Sequence, residues 1–326
     1  MEIKTVSEKY RDITDYFRGK RVLVAGGTGL IGRPLVAYLL EMGASVRIAS
    51  LDDPSRANPK AEFVHSDLMH LQNCESVCEG MDYVFNLLCI KGSPGFMKKY
   101  PVTVLESILL FNTALMRSAF KKKAQGYLYT SSVAVYSPSP IFTEDAMWQT
   151  FPSPHDRFAA WAKRMGELQA EGYQIEHDWK VSVVRPANVY GPYDNFHGEG
   201  AMVIPSLIRK ACADGNVLNV LGNGTARRDF IHTDDVALGM LLSAVRGQGQ
   251  TINLGSGVGT SIHELVDIIC SNLNLLPKIE WESNSTTGDQ MRIMDISRAK
   301  QIGFEQTIGL QDGIRATMDW YRNFYR

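Results

Sequence analysis

Three glycines spaced Gly-x-x-Gly-x-x-Gly, within Gly26-Gly27-Thr28-Gly29-Leu30-Ile31-Gly32, are the first residues whose types and spacing imply chemistry. They lie between a β-branched run, Arg21–Ala25, and a helical pattern reaching about Met42. Between a strand and a helix each glycine has its own task. Gly26 permits the tight turn, Gly29 lets the backbone approach a pyrophosphate, and Gly32 lets helix and strand pack closely. Leu30 and Ile31 open the helix, whose N-terminus faces the anion. An acidic residue about 20 positions on would hold the adenosine ribose hydroxyls of a dinucleotide. Asp52 lies there, with Asp53 beside it, while Ser50 ends the second strand. A serine leaves room for a 2′-phosphate, with Arg56 or Arg47 as its partner, so NAD is expected and NADP is the alternative. A glycine triplet alone also marks ordinary structural turns; the strand before it and the helix after it favour the dinucleotide.

Those residues need a scaffold, and the rest of the first half supplies one. Val46–Ala49, Phe63–His65, Tyr83–Leu88, Gly126–Thr130 and Val181–Arg185 read as strands. Helical patterns fall at Gln72–Cys78, Val104–Lys122 and Ala160–His177. Such alternation predicts an α/β fold of the Rossmann type, a doubly wound parallel sheet with helices on both faces. After Pro186 the pattern turns to Gly-, Asn- and Pro-rich loops, with helices near Ile204–Asp214, Asp234–Val245, Ser261–Leu273 and Leu310–Phe324. The expected organisation is an N-terminal extension (1–20), a dinucleotide-binding domain (21–186 plus parts of 230–260) and a smaller mixed α/β substrate-binding lobe (187–326).

Composition excludes several function classes. The 326 residues carry 34 Lys+Arg and 35 Asp+Glu, a net charge of −1, so no basic excess draws the chain to nucleic acid. Lys121-Lys122-Lys123 ends a helical pattern, where cations suit the negative dipole end. The first twenty residues lack the apolar core of a signal peptide, and no uninterrupted apolar stretch reaches the ~18 residues of a membrane span. The five cysteines form no disulfide framework, and Cys74 and Cys78 have no second pair to complete a zinc site, so no metal is expected. Reduced thiols point to the cytoplasm. His65, His70, His177 and His263 read as surface or packing residues, His232 as structural, and His197 as a residue within reach of a substrate. Trp320, Tyr321, Phe324 and Tyr325 read as a C-terminal helix packing on the small lobe.

Further segments follow in a fixed order: HSDL at His65, TSSVAVY at Thr130, KRMGE at Lys163, RPANVYGPYDNF at Arg185, RRDFIHTDDVA at Arg227 and GDQMRIMDISRA at Gly288. With GGTGLIG at Gly26, they make the chain resemble the extended short-chain dehydrogenase/reductase family, the nucleotide-sugar epimerases and dehydratases, from Arg21 to the C-terminus. The resemblance implies that Asp67 and Leu68 contact adenine, that Lys91 lies near the pyrophosphate, and that Lys163 bridges the nicotinamide ribose hydroxyls. It implies that Ser132 bonds the sugar's C4 oxygen, and that Asn188 and Arg209 hold the substrate's nucleotide. Arg228 and Arg292 match guanidiniums that clamp its pyrophosphate and ribose, a task suited to their planar, bidentate donors. YGPYDNF followed by VIPSLIRK looks nearest the GDP-fucose synthase branch, which makes a GDP-sugar the expected substrate. The helical stripes at Val104–Lys122 and Ala160–His177 match those that pair into a four-helix homodimer bundle in this family.

The pattern breaks at one position. Family members carry Tyr-x-x-x-Lys on one helix, the tyrosine moving the C4 hydroxyl proton. Here Lys163 is in register, but residue 159 is alanine. Three explanations compete: a natural enzyme that uses Ser132, a water, Tyr136, His155 or Glu144 instead; an engineered Tyr→Ala variant; or a protein that binds and no longer catalyses. The natural departure ranks first, because Phe158-Ala159-Ala160 reads as one apolar stretch. Val133 and Ala134 stand where dehydratases carry Asp-Glu, and Met202 stands where the fucose synthase branch carries histidine. Neither 4,6-dehydration nor 3,5-epimerisation is therefore expected. Hydride chemistry at C4 remains, as a 4-dehydrogenase, 4-ketoreductase or 4-epimerase. A reduced acid–base apparatus favours oxidation with tightly held NAD.

Overall fold

The structure, a computed structural model, describes residues 8–90, 94–198, 200–213, 217–273, 275–282 and 289–325. Lys91, Gly288 and residues 1–7 of the extension lie outside the described residues.

Short β-branched runs, each followed by a helix, can only return to the sheet in parallel. In chain order the first half forms α1 (Arg11–Phe17), β1 (Arg21–Ala25), α2 (Gly32–Glu41), β2 (Ser45–Ser50), β3 (Glu62–His65), α3 (Leu71–Val77) and β4 (Tyr83–Asn86). It continues through α4 (Pro94–Lys99), α5 (Pro101–Lys121), β5 (Gly126–Thr130), α6 (Arg157–His177) and β6 (Val181–Pro186). The second half comprises β7 (Asn188–Tyr190), α7 (Val203–Cys212), β8 (Val217–Leu221), β9 (Arg227–His232), α8 (Thr233–Val245) and β10 (Thr251–Leu254). It closes with β11 (Gly259–Ser261), α9 (Ile262–Cys270), β12 (Lys278–Glu282), β13 (Met291–Arg292), α10 (Ser297–Gln301) and α11 (Leu310–Tyr325).

The main sheet has seven parallel strands in the order β10-β6-β5-β4-β1-β2-β3. Strand order reverses at β1, between β4 and β2. In such sheets ligands bind beyond the carboxyl ends at this switch point. Side chains alternate between two cores. Val22, Val24, Leu128 and Val184 pack with Leu35 and Val36 of α2 and Met240 and Leu241 of α8. Leu23, Val84, Tyr127 and Tyr129 pack with Cys74 of α3, Ile108 and Leu115 of α5, and Ala162 of α6. Helix α5 is long and apolar enough to cross a membrane by length and composition. Its buried residues, Val104, Ile108, Phe111 and Leu115 among them, belong to this second core.

Chain that leaves the main sheet after Pro186 builds the second lobe, then returns as α8 and β10. There β9 is flanked by β11 (antiparallel), β13 and β7 (both parallel), and β8 pairs with β12. Tyr190, Phe196, Ile208, Leu265 and Ile314 form its own core.

The extension is part of the fold. Ile13 and Phe17 of α1 are fully buried, and the Phe17 ring lies 5.6 Å from that of Tyr83. Arg246 grips both oxygens of Asp12, at 2.7 and 2.9 Å. Phe17→Ala should cost about 3–5 kcal/mol of stability, as large core truncations do. Urea unfolding checks this; a loss below about 1 kcal/mol would show that α1 only rests on the surface.

Candidate active site

The glycine turn closes as its sequence requires. Gly26 has a φ of +83°, and a Cβ on Gly32 would overlap Gly26 O and come within 2.6 Å of Gly27 Cα. A Cβ on Gly27 would meet Ile48 Cγ1 at 2.9 Å. A Cβ on Gly29 would meet only Gly26 O, at 3.3 Å, so its outer backbone face is bare. This bare face before the N-terminus of α2 fits a dinucleotide's pyrophosphate. Thr28, 1% exposed, places Oγ1 2.8 Å from Ser50 Oγ and donates to Asp52 Oδ2 at 2.6 Å. Ser50 and Asp52 thus converge on the turn. Arg56 reaches Asp52 at 3.3 Å. Arg47 does not: it donates to Val77 O, Glu79 O and Glu62, below α3. Arg47 is therefore withdrawn as a 2′-phosphate partner.

Arg33 is a residue at this turn that the sequence did not single out. Its Nε donates to Thr28 O at 3.1 Å, and its guanidinium stands 4.2 Å from the Tyr193 ring centre. Tyr193 belongs to the second lobe and adopts φ +68°. Thr233, the first residue of α8, donates its hydroxyl to Leu30 O at 2.7 Å and ties the turn to that helix. Through Arg33 and Tyr193 the turn and the second lobe are fastened together. The glycine spacing carries no rule for the residue after Gly32, so only the structure finds Arg33. Asp67 and Leu68 follow β3; Leu68 is buried, and Asp67 Oδ1 accepts Met69 N.

Lys163 of α6 reaches the carboxyl end of β5 at Thr130, two residues before Ser132. Lys163 is 3% exposed, and its Nζ donates to Thr130 O at 2.8 Å and Leu88 O at 3.1 Å. Ser132, two residues beyond Thr130, is half-buried and its Oγ accepts Ala134 N. The Thr130 hydroxyl is buried without a hydrogen-bond partner. Burial pushes the Lys163 amine below its ordinary value. One turn further along α6, Glu167 accepts two bonds from Arg185, at 2.9 and 2.5 Å, and one from Ser131 Oγ. Arg185 also donates to Tyr136 OH and Glu144 O, and Tyr136 OH donates to Asn253 at 2.6 Å. Arg164 pins the intervening segment through Val135 O and Thr150 O.

Ala159 lies half-buried one turn before Lys163 and, with Leu88 and Phe96, packs against the core that includes Ile108 and Ala162. Two of the proposed substitutes for the missing phenol are tied up. Burial pushes the Tyr136 hydroxyl up to about 12, and its oxygen is bonded to Arg185 and Asn253. Glu144 is 5% exposed and caps Asn253 N at 3.0 Å. Ser132, His155 and a water remain.

The guanidiniums cluster in the second lobe. Arg292 on β13 contacts Asp289 and Asp156, both at 2.6 Å. Arg228, in register with Arg292, donates to Arg227 O at 2.8 Å. Burial, with Arg292 beside it, lowers Arg228 to about 10. Arg209 on α7 keeps a buried Nε without a partner, and Asn188 donates to Asp229 O at 2.9 Å. His197 packs on the Tyr325 ring at 4.9 Å. Among the described residues no three His, Cys, Asp or Glu side chains gather as metal ligands.

His232 caps α8 with Nδ1, and burial holds it down to about 4. An unfolded histidine titrates near 6.5. Its neutral form therefore stabilises the fold fully above pH ~6.5, and that contribution drains as pH falls toward 4, by about 3 kcal/mol. His232→Asn should flatten this part of the stability–pH curve; unchanged curvature between pH 6.5 and 4 would refute the assignment.

Fold and site together define an NAD(P)-binding enzyme built on a Rossmann-type domain. The chain belongs to the NAD dependent epimerase/dehydratase family, whose model matches residues 22–255. It is 28% identical to GDP-L-fucose synthase 1 of Arabidopsis thaliana, over 98% of this chain and 97% of that one. It is 30% identical to UDP-glucose 4-epimerase of Mycolicibacterium smegmatis, over 93% and 99%. The solved structure of MoeE5 in complex with UDP-glucose and NAD superposes with a TM-score of 0.79 at 26% identity, covering 93% of this chain and 99% of that one.

Proposed function

We propose that this NAD(P)-dependent enzyme carries out hydride chemistry at C4 of a nucleotide sugar, with a GDP-sugar as the leading substrate and oxidation with tightly held NAD as the leading direction. The bound nicotinamide supplies the hydride acceptor. The chain supplies the rest. The glycine turn and the N-terminus of α2 hold the pyrophosphate, Ser50 and Asp52 the adenosine ribose, Asp67 and Leu68 the adenine, and Lys163 the nicotinamide ribose. Ser132 orients the sugar's C4 oxygen. In the 187–326 lobe, Asn188 and Arg209 hold the nucleotide, and Arg228 with Arg292 the diphosphate. The observation that carries this reading is the side-by-side pair Arg228 and Arg292, with Arg292 largely buried (13% side-chain exposure), in a lobe whose Tyr193 ring stands against Arg33 of the glycine turn. Bidentate guanidiniums recognise phosphate in this way.

An uncovered apolar stripe on α6 supports a homodimer through a four-helix bundle with α5. Phe158, Met165, Leu168 and Ile175 are 37–79% exposed at helical spacing, and Val102 and Leu110 of α5 add to them. The free cysteines suit a reducing compartment, the cytoplasm. Ala159 favours a second reading, a nucleotide-sugar binder that no longer catalyses. Absorbance at 340 nm decides between them. A rise on adding GDP-sugars to the NAD-loaded protein is expected; no change with any GDP- or UDP-sugar would leave the binder.

A further inference from the structure

The proton that leaves the C4 oxygen needs an acceptor, and residue 159 offers none. We infer that Lys163 is itself the proton-transfer base of this enzyme, taking the C4 hydroxyl proton directly or through Ser132. The inference rests on the proposed function and assigns a task within that same site.

Lys163 Nζ has two hydrogen-bond acceptors, Thr130 O and Leu88 O. A neutral amine has two N–H bonds and one lone pair; an ammonium has three N–H bonds and none. Two carbonyls at 2.8 and 3.1 Å satisfy the neutral amine and leave its lone pair for an incoming proton. No carboxylate lies within salt-bridge distance of Nζ among the described residues. Glu167, the carboxylate that acts on the amine through space, is held by Arg185 and by Ser131. The surroundings from each packed element agree. β5 presents the Tyr129 ring at 5.3 Å, its hydroxyl donating to Lys163 O. The segment after β4 presents the Cys89 thiol, and on α6 the Arg164 guanidinium turns away to Val135 O. Cys89 and Glu167 favour the ammonium, yet burial outweighs both and pushes the amine down. A buried lysine of this kind serves as a base, which an arginine cannot.

The step balances. The C4 O–H bond breaks and its proton joins Nζ, giving the ammonium, while the O–H electron pair becomes the second bond of the C4 carbonyl. The C4–H pair leaves as hydride to the nicotinamide acceptor. In the reverse direction the ammonium returns the proton.

Two measurements test this. In ¹³C,¹⁵N-lysine NMR of the NAD-loaded protein, the resonance lost in Lys163→Arg should titrate below the ordinary lysine value of about 10.4. Single-turnover reduction followed at 340 nm should rise tenfold per pH unit up to that same midpoint and then level off. At saturating NAD, Lys163→Arg should lose about 10²–10⁴ in rate and lose the pH slope, since a guanidinium does not deprotonate. Titration at or above the ordinary lysine value, or a rate profile that ignores the Lys163 midpoint, overturns the inference. So does a Lys163→Arg rate within threefold of wild type. Should the variant fail to fold, the wild-type titration set against the wild-type rate profile still decides. If no nucleotide sugar reduces the wild-type cofactor, the proposed function falls and takes this inference with it; if the wild type turns over and these results fail, only the inference falls.

Discussion

Gly32→Ala is expected to weaken dinucleotide binding by at least about 100-fold. The added methyl would overlap Gly26 O and press on the Gly27 backbone, with no flexible side chain in between to give way. Overpacking of this kind costs about 1–3 kcal/mol when the surroundings can move. Here only the turn can move, and it is the turn that presents the binding surface. Shifting it spoils the approach of the pyrophosphate to Gly29 and the N-terminus of α2, and each 1.4 kcal/mol lost is tenfold in affinity. Calorimetric titration with NAD and NADP, together with the nucleotide content of the purified protein, measures the effect. Wild-type affinity in a folded Gly32→Ala protein would show that the turn is structural only.

Arg292→Ala should raise the KM for a nucleotide sugar by about a hundredfold, with a smaller change in kcat. Truncating one partner of a buried, hydrogen-bonded charge pair costs about 2–5 kcal/mol. Arg292 also answers Asp156 and Asp289, so its loss leaves two carboxylates facing Arg228. Both consequences repel a diphosphate. Arg292→Lys keeps the charge but not the two-pronged geometry, and should fall between wild type and alanine. Steady-state kinetics across a series of nucleotide sugars measures this. An unchanged KM would move the diphosphate away from the second lobe.

Much of the main sheet was legible because its signals are local and repeated. Short runs such as Arg21–Ala25 and Gly126–Thr130 became strands at the same residues, and the glycine turn marked a junction where a side chain cannot fit. The second lobe was read as loops and helices: β7, β11 and β13 are only two or three residues long, too short for a period. The longer β8, β9 and β12 went unread, although β8 and β12 alternate in burial. Helix α1 was legible only as an extension and not as core, since its burial depends on the distant Tyr83 and Arg246. At the site, Asp52 followed from spacing, whereas the fates of Arg47, Arg33, Tyr136 and Glu144 depend on which way each side chain turns. No spacing rule reports that.

The central claim is that a dinucleotide lies across the carboxyl end of the sheet, from the glycine turn to Lys163. A crystal structure of the protein with NAD tests it most directly. The account predicts the pyrophosphate on the backbone of Gly29, Leu30 and Ile31, and a ribose hydroxyl within hydrogen-bond distance of Lys163 Nζ. A nucleotide seated elsewhere, or one that leaves Ser132 and Lys163 untouched, would contradict it.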